Sequence, residues 1–275
     1  MSTPPPSPSS PPPPIRIHIP HVSRATGVLL ALNIGVWLLQ VLTGVSPLHP
    51  SSPALVAWGG NLPLFTLTGD TWRLFTAMFL HDGIGHLALN MLALISTADR
   101  TEDEYGTAPM LVVYLVGGLM ASCASVFWRE VHALRDPTLL LTVSIGASGA
   151  VMAQFGALLA ALVMVPPRFA RMHPSERPGV DNGLVQVVVL NLALGLLFPG
   201  VDQAAHVGGL IGGMAVGALM CIRPAVATPR AALARYGATA LLVTACVGAL
   251  LHTAPRERLL LLRIEWAAQQ AAPHH

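Results

Sequence analysis

The sequence contains no lysine and few charged residues of any kind. All fifteen basic residues are arginine, and charged residues make up only 10% of the 275 positions. A soluble domain typically carries about 25% charged residues, so this composition argues against a protein that faces water on all sides. The formal net charge of +2 is too small to suggest nucleic-acid binding.

Cysteine is also scarce, and its placement excludes a disulfide framework. Cys123, Cys221 and Cys246 each lie inside an apolar run, which predicts small buried thiols. Residues 1–23 form a tail rich in proline and serine that cannot bury a core, and we expect it to be disordered. This tail lacks the charged segment and apolar segment of a secretory signal peptide.

Long apolar runs dominate the rest of the chain. Hydrophobic residues make up 53% of it, and the mean hydropathy is +0.62. We therefore expect an all-α polytopic membrane protein, since runs of about 20 apolar residues can cross a bilayer as helices. The seven predicted spans cover residues 24–45, 84–98, 107–128, 146–165, 184–198, 204–222 and 231–252.

These spans define the predicted organisation. A six-span core covers residues 24–222, a link and the seventh span cover 223–252, and a tail covers 253–275. The tail has the pattern of a short interfacial amphipathic helix. The loop of about 35 residues after the first span contains several aromatic residues and few charges, so we expect it to lie at the membrane interface.

The distribution of arginine predicts the orientation. Nine arginines lie on the side of the N-terminus and six on the other side. Because cytoplasmic loops are enriched in positive residues, this favours a cytoplasmic N-terminus. The composition, together with the lack of a targeting segment, favours a bacterial cytoplasmic membrane.

Four polar residues interrupt the apolar spans in a related way. His86 and Asn90 lie in the second span, Ser148 in the fourth and His206 in the sixth, each near the start. Even-numbered spans all run in the same direction, so the four groups are expected at one end of the bundle. With the N-terminus inside, this is the outer end. Polar groups within spans mark function by default.

The chemistry of this set is that of a serine hydrolase. Ser148 can act as a nucleophile once a base removes its proton, and His206 can be that base. Asn90, His86 and the backbone N–H of Ser148 can stabilise an oxyanion. Asp202 lies four residues before His206 and either contacts it or is a solvated loop carboxylate. The alternative for Ser148, in the stretch Gly146-Ala-Ser-Gly-Ala150, is a small-residue helix contact.

Glycines of the sixth span repeat every four residues, which lets another helix approach closely. Together with the glycines of the fourth span, they predict tight packing of these two spans, which would bring Ser148 beside His206. The alternative is generic packing with no catalytic purpose. A metal site from His81, His86 and His206 is not expected, because neither a metal-binding motif nor a carboxylate lies near them in the spans. The glycines are Gly149, Gly156, Gly208, Gly209, Gly212, Gly213 and Gly217.

Taken together, these motifs resemble the rhomboid family of intramembrane serine proteases. The resemblance covers about residues 24–222, and the seventh span is similar to the added C-terminal helix of some members. Its motifs are Trp72-Arg73, His81 with His86-Leu-Ala-Leu-Asn90, Glu102-x-x-x-Gly106, Gly146-Ala-Ser148-Gly149 and Ala205-His206-x-Gly-Gly, whose glycines include Gly209 and Gly213.

The resemblance implies cleavage of transmembrane segments of other membrane proteins, without metal or cofactor. It implies Ser148 as nucleophile, His206 as base, and His86, Asn90 and the Ser148 backbone as oxyanion hole. Arg73 and Glu102 would hold loop structure, and the fifth span with residues 199–203 would move to admit substrate.

The chain departs from the family at Met152, where members often place an aromatic ring on the base. A thioether can also pack on an imidazole. One alternative is a rhomboid-like protein that binds membrane clients without cleaving them, although such relatives usually lack the serine or the histidine. A small transporter is another, but no inverted repeat is present.

Overall fold

The computed structural model describes residues 22–164, 180–197, 200–221 and 228–271, which are mostly helical. The predicted disordered tail and the polar link after the fourth span fall largely outside these residues. Two 3₁₀ turns, Ala77–Phe79 and Pro137–Leu141, accompany the helices. The helices are α1 (Arg24–Leu42), α2 (Ser52–Ala57), α3 (Pro63–Leu67), α4 (Arg73–Thr76), α5 (Gly83–Tyr105), α6 (Thr107–His132), α7 (Ser148–Met164), α8 (Val180–Leu197), α9 (Gln203–Cys221), α10 (Pro229–Thr253) and α11 (Arg256–Ala271).

The fold is an all-α polytopic membrane bundle, as the sequence predicts. Four described helices, α1, α6, α9 and α10, are long and apolar enough to cross a bilayer. A fifth span forms if α5 is counted with the short helices before it, to which it is bent by 91°. Helix α7 and the apolar part of α8, Leu184–Leu197, are apolar but shorter than these, so the number of seven spans stays a prediction.

The helix α5 extends seven residues beyond the predicted end of the second span. Its last turns are polar, and hydropathy detects only the apolar part of a helix. The helix ends at Tyr105, before Gly106, whose φ of 92° suits glycine. At this end Glu102 accepts hydrogen bonds from the hydroxyls of Ser23 and Thr107. It thereby ties the start of α1 to the end of α5 and the start of α6.

Contacts at the two ends of the bundle show that successive helices alternate in direction. At one end, Cys221 of α9 lies 3.4 Å from the hydroxyl of Tyr105 at the end of α5, and Arg235 of α10 donates to the carbonyl of Met220. At the other end, Asn61 of the first loop pairs through its backbone with Ser144, just before α7. The starts of α5, α7 and α9 therefore share one end.

The helix α9 uses its glycines on two sides. A methyl group on Gly217 would lie 2.6 Å from the Cα atom of Ala157 on α7, and Gly209 and Gly213 likewise lie against the α7 backbone. On the other side, Gly212 lies against Met120 of α6. The predicted packing of the fourth and sixth spans is confirmed, but Gly208 and Gly212 serve α6 and not α7.

The loop after α1 folds into a compact cap of short helices. Arg73 is buried and donates to the carbonyls of Val56 (2.6 Å) and Gly60 (3.2 Å), and it forms an ion pair with Asp70 at 3.1 Å. These bonds hold the turns of the cap together, so Arg73 has a structural position. Of the loop aromatics, Phe65 and Phe79 are buried, Trp58 is half-buried, and Trp72 and Phe75 are exposed.

The C-terminal tail forms α11, which packs on this cap. Trp266 meets the ring of Phe65 edge-on at 5.1 Å, and Arg263 pairs with Asp70 at 3.2 Å. Leu259 of α11 is fully buried and belongs to the same apolar cluster as Leu64 and Leu67 of α3. The helix predicted for the tail is present, and one side of it contacts the cap.

The glycine contacts predict a strong effect of small substitutions on α9. Gly213→Ala places a methyl group into the α7 backbone, which cannot move aside as a side chain can. Overpacking of this kind typically costs 1–3 kcal/mol. We expect a clear fall in the unfolding midpoint of detergent-solubilised protein. Gly237→Ala on α10, where no atom lies within 4 Å of the added methyl, should leave it unchanged or slightly raised. Equal midpoints for both variants would contradict the packing described.

Candidate active site

A cavity of about 1420 Å³ lies at the end of the bundle where α5, α7 and α9 begin. Its lining includes all four polar residues singled out from the sequence, namely His86, Asn90, Ser148 and His206. The walls are otherwise largely apolar, so a few polar groups converge within an apolar surface, as is typical of binding sites.

Ser148 is the first residue of α7 and is half-buried at the cavity wall. The segment before it is held on one side by Asn61, whose backbone pairs with Ser144. On the other side, Gly146 donates its N–H to the carbonyl of Ala77 at 2.9 Å. The first turn of a helix leaves backbone N–H groups without intrahelical partners, so these groups are available beside the Ser148 hydroxyl.

Gly146 faces His86 and Asn90 directly. A methyl group at Gly146 would lie 3.0 Å from Nε2 of His86 and 3.8 Å from the side-chain nitrogen of Asn90. The φ of Gly146 is 116°, a conformation that other residues rarely adopt. Two features therefore favour glycine at this position: the backbone conformation and the lack of room for a side chain beside His86.

The hydrogen bonds of His86 and Asn90 orient both as donors. The backbone N–H of Asp82 donates to Nδ1 of His86 at 3.1 Å, so in the neutral ring the proton sits on Nε2, which lies on the side of the ring that faces Gly146. The amide of Asn90 donates one hydrogen to the carbonyl of His86 at 3.0 Å. Its second hydrogen remains for a ligand in the cavity.

His206 lies in the first turn of α9 and is buried. Its Nδ1 atom has no hydrogen-bond partner within the described part of the chain. The residues next to the serine and the histidine are close, because a methyl group on Gly149 would lie 3.8 Å from the carbonyl oxygen of Ala205. The helix contact thus brings the starts of α7 and α9 together.

Asp202 is not the solvated loop carboxylate that the sequence suggested. Its side chain is only 14% exposed and forms an ion pair with Arg129 at 3.0 Å. It also accepts hydrogen bonds from the hydroxyls of Ser125 and Ser144. Sequence reasoning missed these partners, because the only signal was a lone arginine near the end of an apolar run.

The supporting residues occupy different places around the cavity. Met152 is buried and belongs to the lining. His81 is fully buried with its ring centre 5.3 Å from that of His86, so it packs against one of the donors. Trp72 stacks on the Arg73 guanidinium at 4.6 Å, away from the cavity lining. Among the described residues, no three histidine, cysteine or acidic side chains are close enough to hold a metal ion.

Comparison with known proteins shows the family of the chain. The family model of the Rhomboid domain matches residues 68–223, more than half of the chain. Rhomboid protease AarA of Providencia stuartii is 34% identical over 206 residues, covering 72% of this chain and 71% of that protein.

Two further relatives match this chain over a smaller part of their own length. Rhomboid protease GluP of Bacillus subtilis is 32% identical over 188 residues, covering 68% of this chain and 33% of that protein. RHOMBOID-like protein 1 of Arabidopsis thaliana is 30% identical over 211 residues, covering 76% of this chain and 50% of that protein. The chain therefore spans half or less of these two relatives. With the matched domain and the relative aligned over most of both chains, it belongs to the rhomboid family.

Proposed function

We propose that the protein is an intramembrane serine endopeptidase that cleaves transmembrane segments of other membrane proteins. The observation that carries the proposal is that one cavity is lined by Ser148, His206 and two oriented donors beside Gly146. Two of the relatives described above are named rhomboid proteases, which supports the same activity.

In the proposed reaction, Ser148 and His206 act as a dyad. The imidazole takes the hydroxyl proton while the oxygen attacks the peptide carbonyl carbon, and the proton then passes to the leaving amine. The acyl-enzyme is hydrolysed by water that the same histidine activates. Burial of His206 is compatible with this role, because among the described residues its Nδ1 atom has no hydrogen-bond partner that would fix the ring in another orientation.

The oxyanion of the tetrahedral intermediate would lie in the space beside Gly146. Nε2–H of His86, the free amide hydrogen of Asn90 and the backbone N–H of Ser148 would donate to it. Donors that are fixed before the reaction stabilise the developing charge without reorganisation, and losing one costs about 10²–10³ in rate. The hydrogen bond from Asp82 to His86 is what fixes one donor here.

Access for the substrate is proposed along α8. This helix exposes a row of apolar side chains, and Gln203 joins it to the start of α9 by donating to the carbonyl of Leu192 at 3.0 Å. Such a surface suits a transmembrane segment arriving from the bilayer. The proposed mobile segment 199–203 falls partly outside the described residues, since Pro199 is not among them.

The proposed orientation places the N-terminus in the cytoplasm and the cavity at the outer face of a bacterial cytoplasmic membrane. An even number of crossings must separate the cap after α1 from α11, because the two are in contact. Six crossings between them satisfy this condition. The excess of arginine on the side of the N-terminus gives the direction.

The dyad is tested by cleavage of a transmembrane substrate in proteoliposomes. Ser148→Ala and His206→Ala should each reduce cleavage to background, because one removes the nucleophile and the other the base. The matched controls are Ser96→Ala, an exposed serine on α5, and His252→Ala, an exposed histidine at the end of α10. Both should cleave like the wild type. Full cleavage by Ser148→Ala would refute the proposal.

The oxyanion site is tested at Gly146. Gly146→Ala should reduce kcat by about 10²-fold or more, because the methyl group overlaps the His86 ring and strains the backbone. Gly44→Ala is the control, since its φ of 94° imposes similar strain while no atom lies within 4 Å. It should lose some stability and keep its kcat. Equal loss of kcat in both variants would show that strain alone is responsible.

The orientation is tested with topology reporters at both ends of the chain. A fluorescent protein that matures only in the cytoplasm should be bright at the N-terminus, and alkaline phosphatase should be active only at the C-terminus. The reverse pattern would overturn the orientation, and two reporters on the same side would overturn the odd number of spans.

A further inference from the structure

One buried carboxylate connects the two segments that carry the proposed dyad. The Oδ2 atom of Asp202 accepts from Arg129 at 3.0 Å and from the hydroxyls of Ser125 and Ser144. Its Oδ1 atom accepts from the backbone N–H of Ala205 at 3.1 Å. The carboxylate thus accepts four hydrogen bonds, three at Oδ2 and one at Oδ1.

These partners come from three different parts of the fold. Ser125 and Arg129 lie on α6, Ser144 lies in the segment before α7, and Ala205 lies in the first turn of α9. Arg129 also binds the segment before α7 directly, since it donates to the carbonyl of Thr142 at 2.7 Å. The network therefore fixes the segment before α7 and the start of α9 to the same helix.

The spacing along the chain places the dyad directly beyond this network. Ser144 lies four residues before Ser148, and Asp202 lies four residues before His206. The backbone carbonyl of Asp202 accepts from the N–H of His206 at 3.1 Å, so Asp202 caps the turn that carries the histidine. A movement of Asp202 would shift both Ser148 and His206.

The charge of the carboxylate is maintained despite its burial. Burial alone would raise the pKa of Asp202, but Arg129 and the hydroxyls of Ser125 and Ser144 hold it below its usual value. An ionised, buried carboxylate with four donors favours one arrangement of its partners, because the loss of a partner would leave a buried charge less well satisfied.

We propose that Asp202 is a positioning residue of the dyad, which holds the start of α9 and the segment before Ser148 in register through Arg129 and Ser144. This inference rests on the proposed function. It differs from a third member of a catalytic triad, because within the described residues the hydrogen bonds of the carboxylate go to Arg129, Ser125, Ser144 and Ala205. Asp202 acts by holding the backbone of these two segments in place, since none of these four hydrogen bonds goes to the imidazole.

The test compares Asp202→Asn with Asp136→Asn in the full-length protein in detergent. Asparagine has nearly the same shape and keeps one acceptor oxygen, but it removes the charge. Asp136 is the matched control, since it too caps a helical segment, the 3₁₀ turn Pro137–Leu141. Its carboxylate accepts from the backbone N–H of Thr138 at 3.1 Å, and the residue is exposed. The readouts are the rate constant for labelling by a fluorophosphonate, kcat and KM for a transmembrane substrate, and the thermal unfolding midpoint.

We expect Asp202→Asn to lower the labelling rate constant and kcat by about 10- to 10²-fold with KM unchanged, since small misplacements of reacting groups cost this much. Asp136→Asn should stay within about twofold of the wild type. A folded Asp202→Asn variant that labels and cleaves at the wild-type rate would overturn the inference and leave the proposed function standing. A wild type that neither labels nor cleaves would overturn both.

Two further variants keep the test decisive if Asp202→Asn fails to fold. Ser144→Ala removes only the link to the segment before α7, and we expect it to fold and to label about threefold to tenfold more slowly. Arg129→Gln combined with Asp202→Asn removes both buried charges together. If the pair acts as a unit, the double variant should label no more slowly than the slower single variant. Wild-type labelling by Ser144→Ala, or additive losses in the double variant, would contradict the positioning role.

Discussion

The glycines of α9 allow its backbone to rest on that of α7, and the position of the candidate site depends on this contact. Gly209, Gly213 and Gly217 are spaced by one helical turn, so they form a continuous smooth strip. In a membrane, helix association relies on close packing and not on the exclusion of water from apolar surface. The strip keeps the starts of the two helices adjacent, and Ser148 and His206 are located there.

Polar groups within an apolar bundle either form hydrogen bonds and ion pairs with their neighbours or serve a function. Around the cavity they fall into two classes. Asp202 and Arg129 bond to each other and to their neighbours, so they stiffen the frame. The second amide hydrogen of Asn90 remains for a ligand in the cavity, and His206 belongs to the cavity lining. A rigid, satisfied frame around a few uncommitted donors and acceptors is the arrangement that preorganised catalysis requires.

Much of this arrangement follows from the sequence, because its strongest signals are local. Apolar runs locate the spans, and the parity of the spans places His86, Asn90, Ser148 and His206 at one end. The ion pair between Arg129 and Asp202 could not be predicted, since it joins residues 73 positions apart and no local pattern relates them. The packing of α11 on the cap was hidden for the same reason. The sequence prediction ended α5 too early, because hydropathy detects apolar segments and not the propensity of a polar segment to form a helix.

The central claim is that Ser148 is an activated nucleophile within the membrane bundle. The most direct measurement is to react the wild type in proteoliposomes with a fluorophosphonate, digest the protein and locate the adduct by tandem mass spectrometry. The account predicts a single adduct on Ser148 that is absent when His206 is replaced by alanine. An adduct on another serine, or equal modification of Ser148 without His206, would contradict it.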